Sequence, residues 1–334
     1  MNRLDFMNGV AAAFTIKHLA MQTDSDIGDP ALASGSQALR VLLGHGDAAP
    51  LEAGTFLFQG RGYRGTFSDS SKGIVNTVPL EEYLYSVVPR EMPRLWPAAA
   101  LQAQAVVART FVLSRSNPRA EYDLVPSEAD QVYTGMDAER PQTSAAVQAT
   151  SGTVLRFGGG FASVLYSSCC GGHTESSAQA WGGQPISYLN GVPCTFCADS
   201  PWYNWAQTIA LDDLRERLNA AIAPMPQIER IWLDAPDSSG RSVYWNVAGQ
   251  GTIQRIKAAD VRRALGMRTL PSLLIRKFIA PAGAQPERTV HIEGSGLGHG
   301  VGLCQWGCRG MAITGADLQT ILRQYYPGTT LAHV

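Results

Sequence analysis

The sequence predicts an α+β protein of mixed helices and antiparallel strands, and three observations carry that expectation. Short runs rich in β-branched and aromatic residues are separated by glycine turns. Between them lie segments with helical start and stop signals, the longest running from Pro97 through an alanine-rich stretch to about Ser114. No internal repeat and no heptad interrupts the mixture. The glycine-dense run beginning at Gly294 lacks the strand-to-helix register and the acidic follow-up of a dinucleotide site.

Taken in order, the first 16 residues resemble a short export signal. One arginine precedes a brief apolar run, which Lys17 and His18 interrupt. The run is too short to span a membrane, and a frayed N-terminal helix is the competing reading. Residues 24–37 are rich in Asp, Ser, Gly, Ala and Pro and read as a linker. Residues 1–37 are therefore set apart from a folded region, 38–334. No other segment approaches a stable membrane span.

Strands are expected at 38–43, 55–59, 63–68 and 74–77, the last entering a helix over 80–88. Glu81 and Glu82 sit near that helix's positive end, where carboxylates are favoured. Pro89 and Pro93 then end it, because proline cannot continue a helix and restricts the residue before it. Further on, the pattern predicts a helix over Pro141–Ala149 and a hairpin of 153–156 with 161–167 across three glycines. An amphipathic helix at 212–221 precedes a strand pair, 228–233 with 242–247. A helix over Ala258–Leu265 is stopped by Gly266. Strands at 273–279 and 290–293 and a helix at 317–325 complete the list.

The 334 residues are 45% hydrophobic, enough for a substantial core in one large or two intimate domains. Charged residues are 16% and the net charge is −1, which argues against a nucleic-acid binder with its basic patch. A neutral polysaccharide fits better, and local arginines would also admit an anionic glycan.

One carboxylate stands out. Glu91 lies in a proline-bounded turn between two helical segments. On the second helix Gln102 and Arg109 are seven apart and share a face, while Leu101, Ala105, Val106 and Leu113 suit a core. An acid with an amide and a guanidinium nearby is a glycan-cleaving arrangement. A surface glutamate with a capping arginine is the bland reading of the same spacing.

The six cysteines fall as Cys169-Cys170, Cys194-x-x-Cys197 and Cys304-x-x-x-Cys308. Three disulfides, buried free thiols and a metal site are all open. The Cys-x-x-Cys spacing suits tetrahedral zinc. His173 lies three after Cys170, so Cys170, His173, Cys194 and Cys197 would form a closed, structural four-ligand site. Cys304 is an alternative ligand. Cys304 and Cys308 face the same way only if their segment is helical.

Three ordered segments carry a resemblance. The stretch from Val78 to Phe111 resembles the signature of the SpoIID/LytB family of peptidoglycan lytic transglycosylases. The Cys-Gly-Gly-His-Thr-Glu run ending at Glu175, with Trp181, is similar to the family's central motif. The glycine- and histidine-rich run from Gly294 to Gly307, followed by 321–328, is similar to its C-terminal motif. Core motifs thus occupy 61–205 and 290–331, with an α/β segment at 206–289 between them. The resemblance implies a SpoIID-like fold with a catalytic cleft between helical and β-rich parts. It also implies an exported protein acting in the periplasm or cell wall on peptidoglycan glycan strands, in sporulation or elsewhere. Some relatives hold zinc through Cys and His.

The implied chemistry needs a single acid, Glu91. Protonated at the start through partial burial, with Trp96 and Met92 as the apolar wall, it donates to the bridging oxygen. It then takes the proton of the muramoyl C6 hydroxyl as a 1,6-anhydro ring closes. The resemblance places Arg109, Thr174, His299, Gln305 and Tyr325 along the cleft, with Gln102 where relatives often carry lysine. Each has a bland counterpart: Thr174 capping a turn, His299 satisfied in a core, Gln305 holding the glycine-rich loop, Tyr325 in the core. The alternative function is a non-catalytic glycan-binding modifier that stimulates a cell-wall amidase.

Overall fold

Glycine and proline set most element boundaries, and tertiary burial overrides them in a few places. The computed structural model describes residues 37–52, 54–117, 119–281 and 288–334. The signal-like and linker readings of the first 36 residues lie outside them. The chain divides into two units. One comprises the described residues up to Leu165 together with Met311–Val334, and the other is Tyr166–Gly310.

In the first unit, strand Gly73–Pro79 lies between Ala38–Gly44 and Thr66–Ser70, antiparallel to both. A separate meander joins Ala48–Pro50, Thr55–Phe58 and Arg61–Arg64. The single strand expected at 63–68 is broken at Gly65. Its φ of +82° turns the chain, and any Cβ there would overlap the Thr77 carbonyl.

Helix α1, Leu80–Glu91, runs three residues past its expected end and contains Pro89. The missing N–H of Pro89 costs one bond near the last turn. Val87, Val88 and Met92 are nevertheless buried, and Met92 N donates to Val88 O at 3.0 Å. Pro93 is the true stop, since Met92 before it is extended (φ −130°, ψ 140°). Helix α2, Ala98–Leu113, is buried on nearly every side, with every residue from Ala103 to Leu113 buried. A helix enclosed all round is a central element. It packs against α1, against α3 (Pro141–Ala149) and against strand Thr153–Phe157.

In the second unit, Thr289–Gly294 lies between Trp205–Ala210 and Ile275–Ile279. A second antiparallel sheet joins Arg230–Leu233, Tyr244–Gly249 and Thr252–Lys257. The short helix α4 is Ser177–Trp181. Helices α5, Leu211–Ala221, and α6, Ala258–Leu265, bury Leu214, Leu218 and Val261 in a core with Trp245, Val247, Val290 and Ile292. The expected hairpin arm 161–167 is split. Only Gly160–Phe161 pairs with Thr153–Phe157. Tyr166–Ser167 instead runs parallel to Leu303–Cys304.

Helix α7, Gln305–Ile313, was not expected, because Gly307 and Gly310 disguise it. Gly310 is required there, since a Cβ would overlap the Phe196 carbonyl. Helix α8, Leu318–Tyr325, begins one residue after its expected start, because Asp317 caps it, its carboxylate accepting from Thr320 N at 2.8 Å. The final strand Thr330–His333 pairs antiparallel with Thr153–Phe157. The mixture of helices and antiparallel sheets is the α+β class expected.

Candidate functional site

Glu91 closes α1 and is 7% exposed, beside the buried Met92. Trp96, three residues beyond Pro93, is half-buried. On α2, Gln102 is half-buried, while Arg109 is wholly enclosed. The Arg109 guanidinium donates through Nε to Glu81 Oε1 (2.8 Å) and through Nη2 to Glu81 Oε2 (2.6 Å). Its Nη1 reaches Thr153 O (3.0 Å) and its Nη2 also reaches Val147 O (3.3 Å). This forked pair ties the start of α1 to the end of α3 and the following strand. The expectation that Arg109 binds substrate is therefore corrected: a buried guanidinium committed to four internal acceptors is a strut. Tyr325 on α8 is 2% exposed and belongs to the core.

In the second unit, the two remaining motifs lie side by side. Cys169 bridges Leu297, and Glu175 bridges Val301. Gly300 is required in this contact: its φ is +80°, and a Cβ would overlap the Arg241 guanidinium.

The sulfurs of Cys170, Cys194, Cys197 and Cys304 lie within 4.8 Å of one another, all four residues buried. Cys170 Sγ and Cys197 Sγ are 3.7 Å apart. Sulfurs at about 2.3 Å from a tetrahedral zinc stand roughly 3.8 Å from each other, so the spacing fits the edge of such a site, whereas a disulfide needs about 2.05 Å. Backbone N–H groups of Cys170 (3.2 Å) and Gly307 (3.3 Å) point at Cys304 Sγ, while burial pushes that thiol well up. The Cys194 thiol is pulled down by hydrogen bonding to Cys170. Burial pushes Cys308, outside the group, up. None of the six cysteines is joined in a disulfide. The fourth position assigned to His173 is thus corrected to Cys304. His173 turns its Nδ1 to Thr174 O (2.6 Å).

Thr174 is 2% exposed. Its hydroxyl accepts from Val192 N (2.7 Å) and donates to Val192 O (3.3 Å), closing the loop that leads to Cys194. His299 lies against the Trp181 ring at 5.2 Å and its Nδ1 accepts from Val301 N (3.0 Å). Burial, then the charge of Arg262, pushes its pKa down to about 3, so the ring is neutral near pH 7. Gln305, 3% exposed, begins α7.

Four residues escaped the site list drawn from sequence: Glu175, Asp237, Ser239 and Arg241. Glu175 is 2% exposed, and burial raises its carboxyl to about 7. Its Oε1 accepts from Ser176 N (2.6 Å) and its Oε2 from Ser239 Oγ (2.7 Å). Arg241 Nε is 3.9 Å from Glu175 Oε2. The central motif contains Glu175, so a signal for it existed. Arg241 lies in an Asp-Ser-Ser-Gly-Arg turn that reads as an ordinary loop.

Residues 68–157 match the family described as Stage II sporulation protein, SpoIID. Residues 195–302 match a domain of unknown function, DUF8618. An uncharacterized protein of Brachyspira hyodysenteriae is 31% identical over 264 residues, covering 77% of this chain and 68% of that protein. Stage II sporulation protein D of Bacillus subtilis is 28% identical over 275 residues, 77% of this chain and 76% of its own. An amidase enhancer of Bacillus subtilis is 28% identical over 295 residues, 74% of this chain but 40% of its own length. The chain belongs to the SpoIID/LytB family.

Proposed function

We propose that this protein acts on the bacterial cell wall as a peptidoglycan lytic transglycosylase, with Glu91 as its single acid and base. The observation that carries the reading is the placement of Glu91. It is a mostly buried carboxylic acid at the end of α1, next to buried Met92, inside the segment that matches the SpoIID family. The Glu91 carboxyl gives its proton to the oxygen bridging N-acetylmuramic acid and N-acetylglucosamine, and that C–O bond breaks. The Glu91 carboxylate then takes the proton of the muramoyl C6 hydroxyl, whose oxygen bonds C1 to close the 1,6-anhydro ring. No water is consumed. Gln102, on the same unit as Glu91, is proposed to face the glycan.

The thiols of Cys170, Cys194, Cys197 and Cys304 are proposed to hold one structural zinc, which would keep four adjacent thiols from oxidising in an exported protein. Among the described residues no helix is long and apolar enough to cross a membrane. An extracytoplasmic location follows from the proposed substrate.

The test is product mass spectrometry on peptide-stripped glycan strands. Wild type should yield anhydro-muramoyl ends, and Glu91→Gln should reduce their formation at least ~10²-fold while glycan binding persists. Turnover of the variant above a tenth of wild type would reject Glu91 as the acid. The amidase-enhancer relative supports a second reading, a glycan-binding partner of a cell-wall amidase. That reading predicts co-sedimentation without anhydro products, and faster amidase turnover when this protein is added.

A further inference from the structure

We propose that Arg241 is a positioning residue for the four-thiolate centre, held by Glu175 and Ser239 so that it clamps the arm carrying Cys170. The proposal rests on the reading of the cluster as a metal site. Cys170 brings its sulfur to the cluster from a loop that continues through Gly171 and Gly172, both at left-handed φ (+79° and +118°). Two such glycines leave the arm without side chains to lock it. Arg241 spans it from outside. Its Nη2 donates to Cys170 O at 2.8 Å and its Nη1 to His173 O at 3.1 Å, one carbonyl on each side of the glycine pair.

The guanidinium is itself fixed. Arg241 is 2% exposed. Its Nη1 also reaches Ser239 Oγ (3.0 Å), and Ser239 Oγ in turn bonds Glu175 Oε2 (2.7 Å) and Asp237 Oδ1 (2.7 Å). Asp237 Oδ1 accepts from the backbone N–H of Ser239 and of Arg241, both at 2.9 Å, which shapes the turn presenting the arginine. Ser295 Oγ and Arg276 Nη2 hold Gly171 O, at 3.1 and 3.2 Å, but neither contacts the Cys170 carbonyl. The absent Cβ of Gly300 leaves the space that the guanidinium fills. Groups that orient metal ligands without touching the metal characteristically change metal retention more than fold.

The test uses the full chain loaded with Co²⁺ in place of zinc. Uptake is read from the visible bands of tetrahedral cobalt–thiolate coordination, and release is timed after adding excess EDTA. Wild type should take up about one equivalent, as a closed four-ligand site does. Arg241→Met, and Arg241→Met paired with Glu175→Gln so that no buried carboxylate is stranded, should release cobalt at least ~10-fold faster. Ser239→Ala, which removes only a hydroxyl and keeps both charges, should also release faster and covers the case in which the arginine variants fail to fold. Leu214→Ala, in the core away from the cluster, should lower the melting temperature without changing release. Wild-type release rates in folded Arg241 variants and in Ser239→Ala would overturn the clamp while leaving the metal site standing. Acceleration by Leu214→Ala equal to that of Arg241→Met would also overturn it. Failure of wild type to bind cobalt would remove the metal reading and the clamp with it.

Discussion

Replacing Arg109 separates a structural strut from a substrate ligand. In Arg109→Met, Glu81 loses both ends of its fork, at 2.8 and 2.6 Å, and among the described residues keeps only the Gly152 N–H at 3.2 Å. Removing one partner of a buried pair costs about 3–5 kcal/mol. The Glu81 side chain is 28% exposed, so water resolvates it in part and the low end applies. Val147 O retains Thr150 as a donor, at 3.2 Å from N and 3.3 Å from Oγ1, so its loss is small. Thr153 O loses its arginine donor, adding roughly 1 kcal/mol. The expected total is about 4 kcal/mol, or a fall of roughly 8–16 °C in Tm for a unit of this size. Arg109→Lys keeps the charge but not the fork and should cost about half as much. Arg109→Met with Glu81→Gln should recover part of the loss, because the stranded carboxylate is gone. Urea and thermal melts give these values, and glycan co-sedimentation below the transition should match wild type per folded molecule. A variant of wild-type stability that binds glycan poorly would refute the strut and restore Arg109 to the binding site.

Other outcomes follow from the second unit. Gly300→Ala adds left-handed strain and a clash with the Arg241 guanidinium, and should cost at least ~3 kcal/mol; Gly251→Ala, with φ +75° in the turn between Tyr244–Gly249 and Thr252–Lys257 and open space around it, should cost only ~1 kcal/mol. Equal urea midpoints for the two would contradict the packing described. His299, pushed down to about 3 from 6.5, stays neutral in the fold while the unfolded chain takes a proton below pH 6.5. Its contribution is therefore full above pH 6.5 and is lost as pH falls toward 3, at no more than about 1.4 kcal/mol per pH unit. His299→Gln should flatten the acid limb of stability by that slope, and superimposable acid limbs would show that His299 does not titrate as described. Cys194→Ser removes a ligand from the four-sulfur group and should empty it by metal analysis, whereas Cys308→Ser should retain about one metal per chain. Loss of metal from both would overturn the ligand assignment.

Local signals settled what could be read from neighbouring residues. Pro141 at a first helical turn and Gly266 at a helix end each mark a boundary that one or two side chains decide, and both stand where the sequence places them, while Asp317, read as the first residue of the last helix, caps it instead. The alternation of such helices with short strands was enough for the α+β class, and the ordered motifs were enough for the family. Choices between distant partners needed the fold. His173 is three residues from Cys170 and Cys304 is 134 away, so spacing favoured the histidine; the parallel pairing of Tyr166–Ser167 with Leu303–Cys304 brings the distant sulfur in instead. Heptad spacing put Gln102 and Arg109 on one face of α2 but could not say that Glu81, 28 positions before Arg109, waits there. Pro89 looked like a stop because its backbone cost is local, while the burial that carries α1 past it belongs to the core. The sequence alone therefore determined the punctuation, the class and the family. Tertiary structure decided which sulfurs, carboxylates and guanidinium groups meet, because burial leaves each polar group to the partners that packing brings within hydrogen-bond reach.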